Sequence, residues 1–146
     1  LGNGNLVDRD VYPQAHHLGD VVAVRVESSL YFANCERVAV FVEMEIARLH
    51  AIGIRTRGVV LDMRHSNDMD ATTIQVLSDM QEKLAKRSVR FAIANANGKL
   101  HDLIACTNLV KRIFGGTPSL QLEDVVRMLR SLPPSPTGQR AGATQV

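Results

Sequence analysis

Short apolar runs alternate with amphipathic stretches along this chain. Val21-Val22-Ala23-Val24-Arg25-Val26 is β-branched and apolar, which predicts a buried strand. Glu27-Ser28-Ser29 reads as a turn, and Leu30-Tyr31-Phe32-Ala33 as a second short strand. Asn34 then stands where a helix N-cap is expected, because its side chain can accept an orphan backbone N–H. Val38, Val42, Ile46 and Leu49 form a helical stripe, with Glu36, Arg37, Glu43 and Arg48 off it and Gly53 as the stop. Val59-Val60-Leu61, ending at Asp62-Met63, is a continuous apolar run and suits a strand covered on both faces. After the loop 64–69, Asp70 is the N-cap candidate for a helix whose stripe is Ile74, Leu77, Met80 and Leu84. Lys83, Lys86 and Arg87 sit near its end, as the helix dipole prefers. Val89-Arg90-Phe91-Ala92-Ile93-Ala94 predicts a fourth strand, closed by the turn Asn95-Ala96-Asn97-Gly98.

Beyond that turn, Leu100, Leu103 and Ile104 mark a short helix, and Val110–Phe114 reads as a link or edge strand. Gly115-Gly116-Thr117-Pro118 interrupts the chain before a last helix carrying Leu122, Val125, Val126 and Leu129. The order strand, strand, helix, strand, helix, strand, helix, helix is that of one α/β domain with a mixed sheet. Residues 1–20 read as a polar lead-in, with at most a short strand near Val11–Tyr12. Residues 21–132 read as the domain, and the Pro-, Ser- and Gly-rich residues 133–146 as a disordered tail.

Composition narrows the function. The 146 residues are 45% hydrophobic and 22% charged, as in an ordinary globular domain. Seventeen Lys+Arg face fifteen Asp+Glu, a net charge of +2, which is too even to argue for a nucleic-acid partner. Aromatics are 4% and Trp is absent, so a base-stacking platform is not expected. Two cysteines, Cys35 and Cys106, cannot make a disulfide scaffold or a four-thiolate zinc site and read as thiols in or near packed helices. No apolar run approaches the ~20 residues that cross a bilayer, and residues 1–10 lack the apolar centre of a signal peptide. The chain begins at Leu1 rather than Met, so it is expected to be a piece of a longer protein.

Catalytic signatures are missing. There is no Gly-x-x-x-x-Gly-Lys-Ser/Thr loop and no Gly-x-Ser-x-Gly elbow. None of the five histidines has metal-ligand spacing with another His or a Cys, and His16-His17 reads as a solvated loop. No catalytic residue, cofactor or metal is therefore expected. Asp62 ends a strand as the phospho-accepting Asp of a receiver domain does. However, no acidic pair follows the first strand, and Lys99 is a poor match for the receiver lysine. The most informative stretch is Asp62 to Ile74: a strand end, a loop and a helix start. A helix N-terminus offers unpaired N–H groups and partial positive charge. Thr72 and Thr73 either simply open the first turn or carry a phosphorylation or anion-binding point, with Ser66, Asp68 and Asp70 as the contact loop. A phosphate there adds about −1.5 to −2 charges.

Leu30-Tyr31-Phe32-Ala33-Asn34, Val59-Val60-Leu61-Asp62-Met63 with Met69-Asp70-Ala71-Thr72-Thr73-Ile74-Gln75-Val76-Leu77, and Val89–Asn95 occur in the order and spacing of one family. Together they resemble the STAS domain of sulfate permease (SulP) anion transporters, with Tyr31, Phe32, Asn34 and Asp62 as signature positions. The resemblance runs from about Leu1 to Leu129. It implies a STAS fold, a mixed four- to five-stranded sheet flanked by about four helices. It also implies a non-catalytic regulatory domain on the cytosolic side of a transporter, controlling its activity, folding and targeting. The implied partners are the transmembrane domain of the same transporter, cytosolic regulatory proteins, a protein kinase and a second transporter copy. Ala47 to Gly58 passes almost directly into the next strand, without the long insertion of animal members, which resembles the plant and algal type. In the related anti-sigma factor antagonists a Ser at the start of the second helix is phosphorylated. That Ser falls on Thr72, its Ser/Thr neighbour in plant transporters on Ala71, and the family Gly on Thr73. Two further readings stay open: a stand-alone phosphorylated switch, and a sensor of a nucleotide or anion at Thr72–Thr73.

Overall fold

The computed structural model describes residues 14–26, 32–66 and 68–132. Four strands form one sheet in the order β1 (Gln14–Leu18), β2 (Val21–Arg25), β3 (Gly58–Asp62) and β4 (Arg90–Ala94). β1 pairs antiparallel with β2, with Leu18 opposite Val21 and Gln14 opposite Arg25. β2, β3 and β4 run parallel, with Val21 opposite Gly58 and Gly58 opposite Arg90. The helices are α1 (Phe32–Ala51), α2 (Ala71–Lys86), α3 (Gly98–Ala105), α4 (Leu109–Arg112) and α5 (Leu122–Arg130).

All five residues of β3 are buried, because helices cover both faces of the sheet. On one face Val22, Val24, Val59, Leu61, Phe91 and Ile93 pack against Val38, Val42 and Ile46 of α1 and Leu77, Met80 and Leu84 of α2. On the other face Val21, Val60, Ala92 and Ala94 meet Val125, Val126 and Leu129 of α5. The predicted stripes of α1, α2 and α5 are thus the faces that build the two cores. Gly58 permits the second: a Cβ there would lie 3.0 Å from Leu129 Cδ1.

The helix ends follow local rules. Asp70 caps α2, its carboxylate accepting the Thr73 N–H at 2.9 Å. Gly53, at φ +87°, ends α1 as expected; the N–H groups of Gly53 and Ile54 bond back to the carbonyls of His50 and Leu49. Ser88, at φ +62°, closes α2 in the same pattern, with Ser88 and Val89 bonding to Ala85 and Leu84.

Four local expectations are corrected. Phe32 and Ala33 open a helix rather than end a strand, and Asn34 lies inside α1 rather than capping it. The aromatic run carries strand propensity, but here it joins a 20-residue amphipathic helix whose packing overrides that preference. His16 and His17 belong to β1, not to a solvated loop. As an edge strand, β1 needs pairing on one side only, supplied by a two-residue turn with Gly19 at φ +72°. The expected strand near Val11–Tyr12 and the Glu27–Ser29 turn lie outside the described residues. Leu109–Arg112 forms a helical turn, not an edge strand, because Leu109 and Ile113 bury against the first core.

Candidate functional site

The stretch from Asp62 to Thr73 lies at the C-terminal ends of the parallel strands. In open α/β sheets this is the end where loops gather functional groups. Asp62, at the end of the central β3, is 1% exposed. Its Oδ1 accepts the Arg64 N–H at 3.0 Å and the Asn95 side-chain amide at 2.8 Å. Its Oδ2 lies 3.6 Å from Arg25 Nε, an ion pair longer than a hydrogen bond. Arg25, Asp62 and Asn95 thereby join the ends of β2 and β3 to the residue following β4. Asn95 adopts φ +61° to do so, a conformation that Asn tolerates better than most side chains. A buried, doubly bonded Asp62 fixes where the loop leaves the sheet and is not presented to solvent as a phosphoryl acceptor.

The loop is anchored at several points. Ser66 is buried, and its N–H bonds to the Met63 carbonyl at 3.0 Å. Met69 is also buried. Asp68 Oδ1 accepts the Met69 N–H at 2.8 Å, and Oδ2 pairs with Lys99 of α3 at 3.4 Å. Arg64 and His65 are exposed at its crest.

The two threonines separate by role. Thr73 is fully buried, and its hydroxyl donates to Asp70 Oδ1 at 2.5 Å, the same oxygen that accepts its N–H. Thr72, one residue earlier in the first turn of α2, is exposed. Of the two threonines carried forward from the sequence, Thr72 is the exposed one, at the positive end of a 16-residue helix. Ser66, Asp68 and Asp70 lie in the same loop, where they form a buried turn, an ion pair and a cap. Tyr31 lies outside the described residues, and the side chains of Phe32 and Asn34 are likewise not described.

Behind this loop stands Cys35 of α1. Burial pushes its thiol up to about 12, and the charges of Asp70 and Glu36 push in the same direction. It is protonated at neutral pH and a poor nucleophile. Cys106, at the end of α3, is exposed rather than packed. His101 contacts the Ser119 hydroxyl. Among the described residues no cluster of three or more His, Cys, Asp or Glu side chains could hold a metal ion. None of the described helices is long and apolar enough to cross a membrane.

The sequence reading missed Arg25, Asn95 and Lys99 as partners of the loop. Arg25 had a visible signal, a lone charge at the end of an otherwise apolar strand. Asn95 and Lys99 had none, because their partners are 33 and 31 positions away in sequence.

The family model described as the STAS domain matches residues 12–125. Among curated proteins, sulfate transporter 4.1, chloroplastic, of Arabidopsis thaliana is 27% identical over 134 residues, 86% of this chain and 19% of that protein. Sulfate transporter 1.2 of the same plant is 30% identical over 99 residues, 62% of this chain and 15% of that protein. The chain thus spans about a fifth or less of the curated relatives it matches. Among solved structures, the murine Solute Carrier 26 family member A9 anion transporter superposes with a TM-score of 0.65 at 16% identity, covering 90% of this chain and 24% of that one. An anti-sigma factor antagonist from Mycobacterium paratuberculosis superposes at 0.62 and 19% identity, covering 82% of this chain and 93% of that one.

Proposed function

Because this chain belongs to the STAS domain family, we propose that it is the regulatory, non-catalytic domain of a sulfate-transporting membrane protein of the SulP type, held on the cytosolic side. Regulation acts at the start of α2. The observation that carries this reading is the division of labour between Thr72 and Thr73 in a region aligned with sulfate transporters. The threonine whose hydroxyl bonds the cap is buried, whereas its neighbour is exposed on the capped helix end. A phosphate on Thr72 would change local charge by about −1.5 to −2. The helix N-terminus favours that charge, while Asp68 and Asp70 oppose it. The group would therefore alter what docks on this face more than it alters the fold. Val40 and Met44, one turn apart on α1, and Ile52 just beyond it are exposed apolar side chains, a surface suited to the membrane domain or a regulatory protein.

The test is to read the parent coding sequence on the N-terminal side of residue 1. Ten or more apolar spans of ~20 residues support the proposal. A start codon close upstream with no such spans overturns it. The likeness in fold to an anti-sigma factor antagonist, nearly all of whose chain is covered, favours a second reading: a stand-alone switch phosphorylated on Thr72 by a partner kinase. That second outcome would bring it forward.

A further inference from the structure

A groove of about 710 Å³ runs beside α5 and shares Arg25 with the site described above. Leu122 and Val126 give it apolar walls, and Arg25, Arg127 and Arg130 give it charge against a single carboxylate, Glu123. It extends from Arg25, the last residue of β2, to Arg130, whose guanidinium lies over Gly19 in the turn before β2. That is the length of a five-residue strand, roughly 17 Å. The cations there are weakly satisfied. Among the described residues Arg127 pairs with Asp124, in a largely exposed contact. Arg25 Nε is buried without a hydrogen bond, its ion pair with Asp62 being 3.6 Å long, and Arg130 makes no ion pair among the described residues.

We propose that this groove is the docking site of residues 1–13 of the same chain, the segment that precedes β1. Register brings that segment to the groove's mouth. Gln14 is paired with Arg25, so the segment is tethered to the sheet opposite that arginine. Its composition matches the walls: Leu6, Val7, Val11 and Tyr12 are apolar, and Asp8 and Asp10 carry two carboxylates against one cation, Arg9. Its length matches too. Asp10 and Asp8 lie four and six residues before Gln14, a reach of up to about 14 and 21 Å. The segment after Leu132 contains no Asp or Glu and one Arg, so its charge opposes the same seat. Docking would turn the lead-in into a strap that sets the direction in which the preceding chain leaves the domain. The proposal goes beyond the transporter reading and does not rest on it.

Photocrosslinking on the 146-residue chain tests it, with benzoylphenylalanine in place of Val11. Illumination followed by peptide mapping is expected to give intrachain crosslinks within 122–131. The yield should fall about fivefold in Asp8→Asn/Asp10→Asn and in Arg127→Gln/Arg130→Gln, and to a similar extent in high salt, as exposed ion pairs are lost. The salt arm keeps the test valid should either variant fail to fold. Crosslinks elsewhere on the domain, crosslinks between two copies, no crosslinks, or a yield indifferent to charge and salt would each overturn the proposal. None of these outcomes bears on whether the parent transports sulfate.

Discussion

Replacing Asp70 with alanine removes two interactions through one oxygen. The Thr73 N–H loses its cap at 2.9 Å, and the Thr73 hydroxyl loses its acceptor at 2.5 Å. Loss of an N-cap costs about 1 kcal/mol. Thr73 is fully buried, so its stranded hydroxyl adds about 1–3 kcal/mol. Asp70→Ala should therefore destabilise the domain by about 2–4 kcal/mol, a fall of about 1–2 M in the urea midpoint for a typical slope. The hydroxyl share can be isolated. In the Asp70→Ala background, Thr73→Val removes the stranded group and should recover about 1 kcal/mol or more, whereas in the native background it should destabilise. Thr72→Ala, one position away but exposed, should stay within about 0.5 kcal/mol of the native chain. Urea unfolding of the four variants completes the comparison. An Asp70→Ala effect below about 0.5 kcal/mol, or additive Asp70 and Thr73 effects, would refute the assignment of Thr73 to structure.

Four further outcomes follow from the geometry. Ser88→Gly should raise stability by about 0.5–1 kcal/mol in the same assay, because φ +62° at the end of α2 suits glycine better than an L side chain. Gly58→Ala should destabilise by about 1–3 kcal/mol, because the added methyl meets Leu129 at 3.0 Å and the Arg90 carbonyl at 3.4 Å. Cys35 should resist iodoacetamide in the native chain while Cys106 reacts, and both should react in urea. The same raised thiol makes stability alkali-sensitive. The unfolded thiol ionises near 9.0 and the native one near 12, so stability is intact below pH 9 and declines as pH rises between these values. Cys35→Ala should flatten that decline in urea midpoints taken at pH 8, 9 and 10.

Much of the fold was legible because its signals are local. Apolar β-branched runs specified β2, β3 and β4, and 3.6-residue stripes specified α1, α2 and α5. Asp70 as a cap and Gly53 as a stop follow from orphan N–H groups and from positive φ. The errors arose where tertiary context decides. Phe32-Ala33 has strand-like composition but belongs to a long helix, and the polar strand holding His16 and His17 exists only through its pairing with β2. The candidate site was legible as a segment but not as a geometry. Sequence placed Asp62 at a strand end and Thr72–Thr73 at a helix start. It could not say that Arg25 and Asn95 would close over Asp62, nor which threonine would be buried. That choice depends on which side of α2 faces α1 and the sheet, and Thr73 falls on the same side as Leu77, Met80 and Leu84.

The most direct test of the proposed role is sulfate uptake by the full-length parent protein in cells lacking their own sulfate transport, comparing Thr72→Glu and Thr72→Ala with the native protein at matched surface abundance. The proposed role predicts that uptake differs between the Glu and Ala variants while the urea midpoint of the isolated chain stays within about 0.5 kcal/mol of native. Uptake identical in all three proteins, or a parent that moves no sulfate, would contradict it.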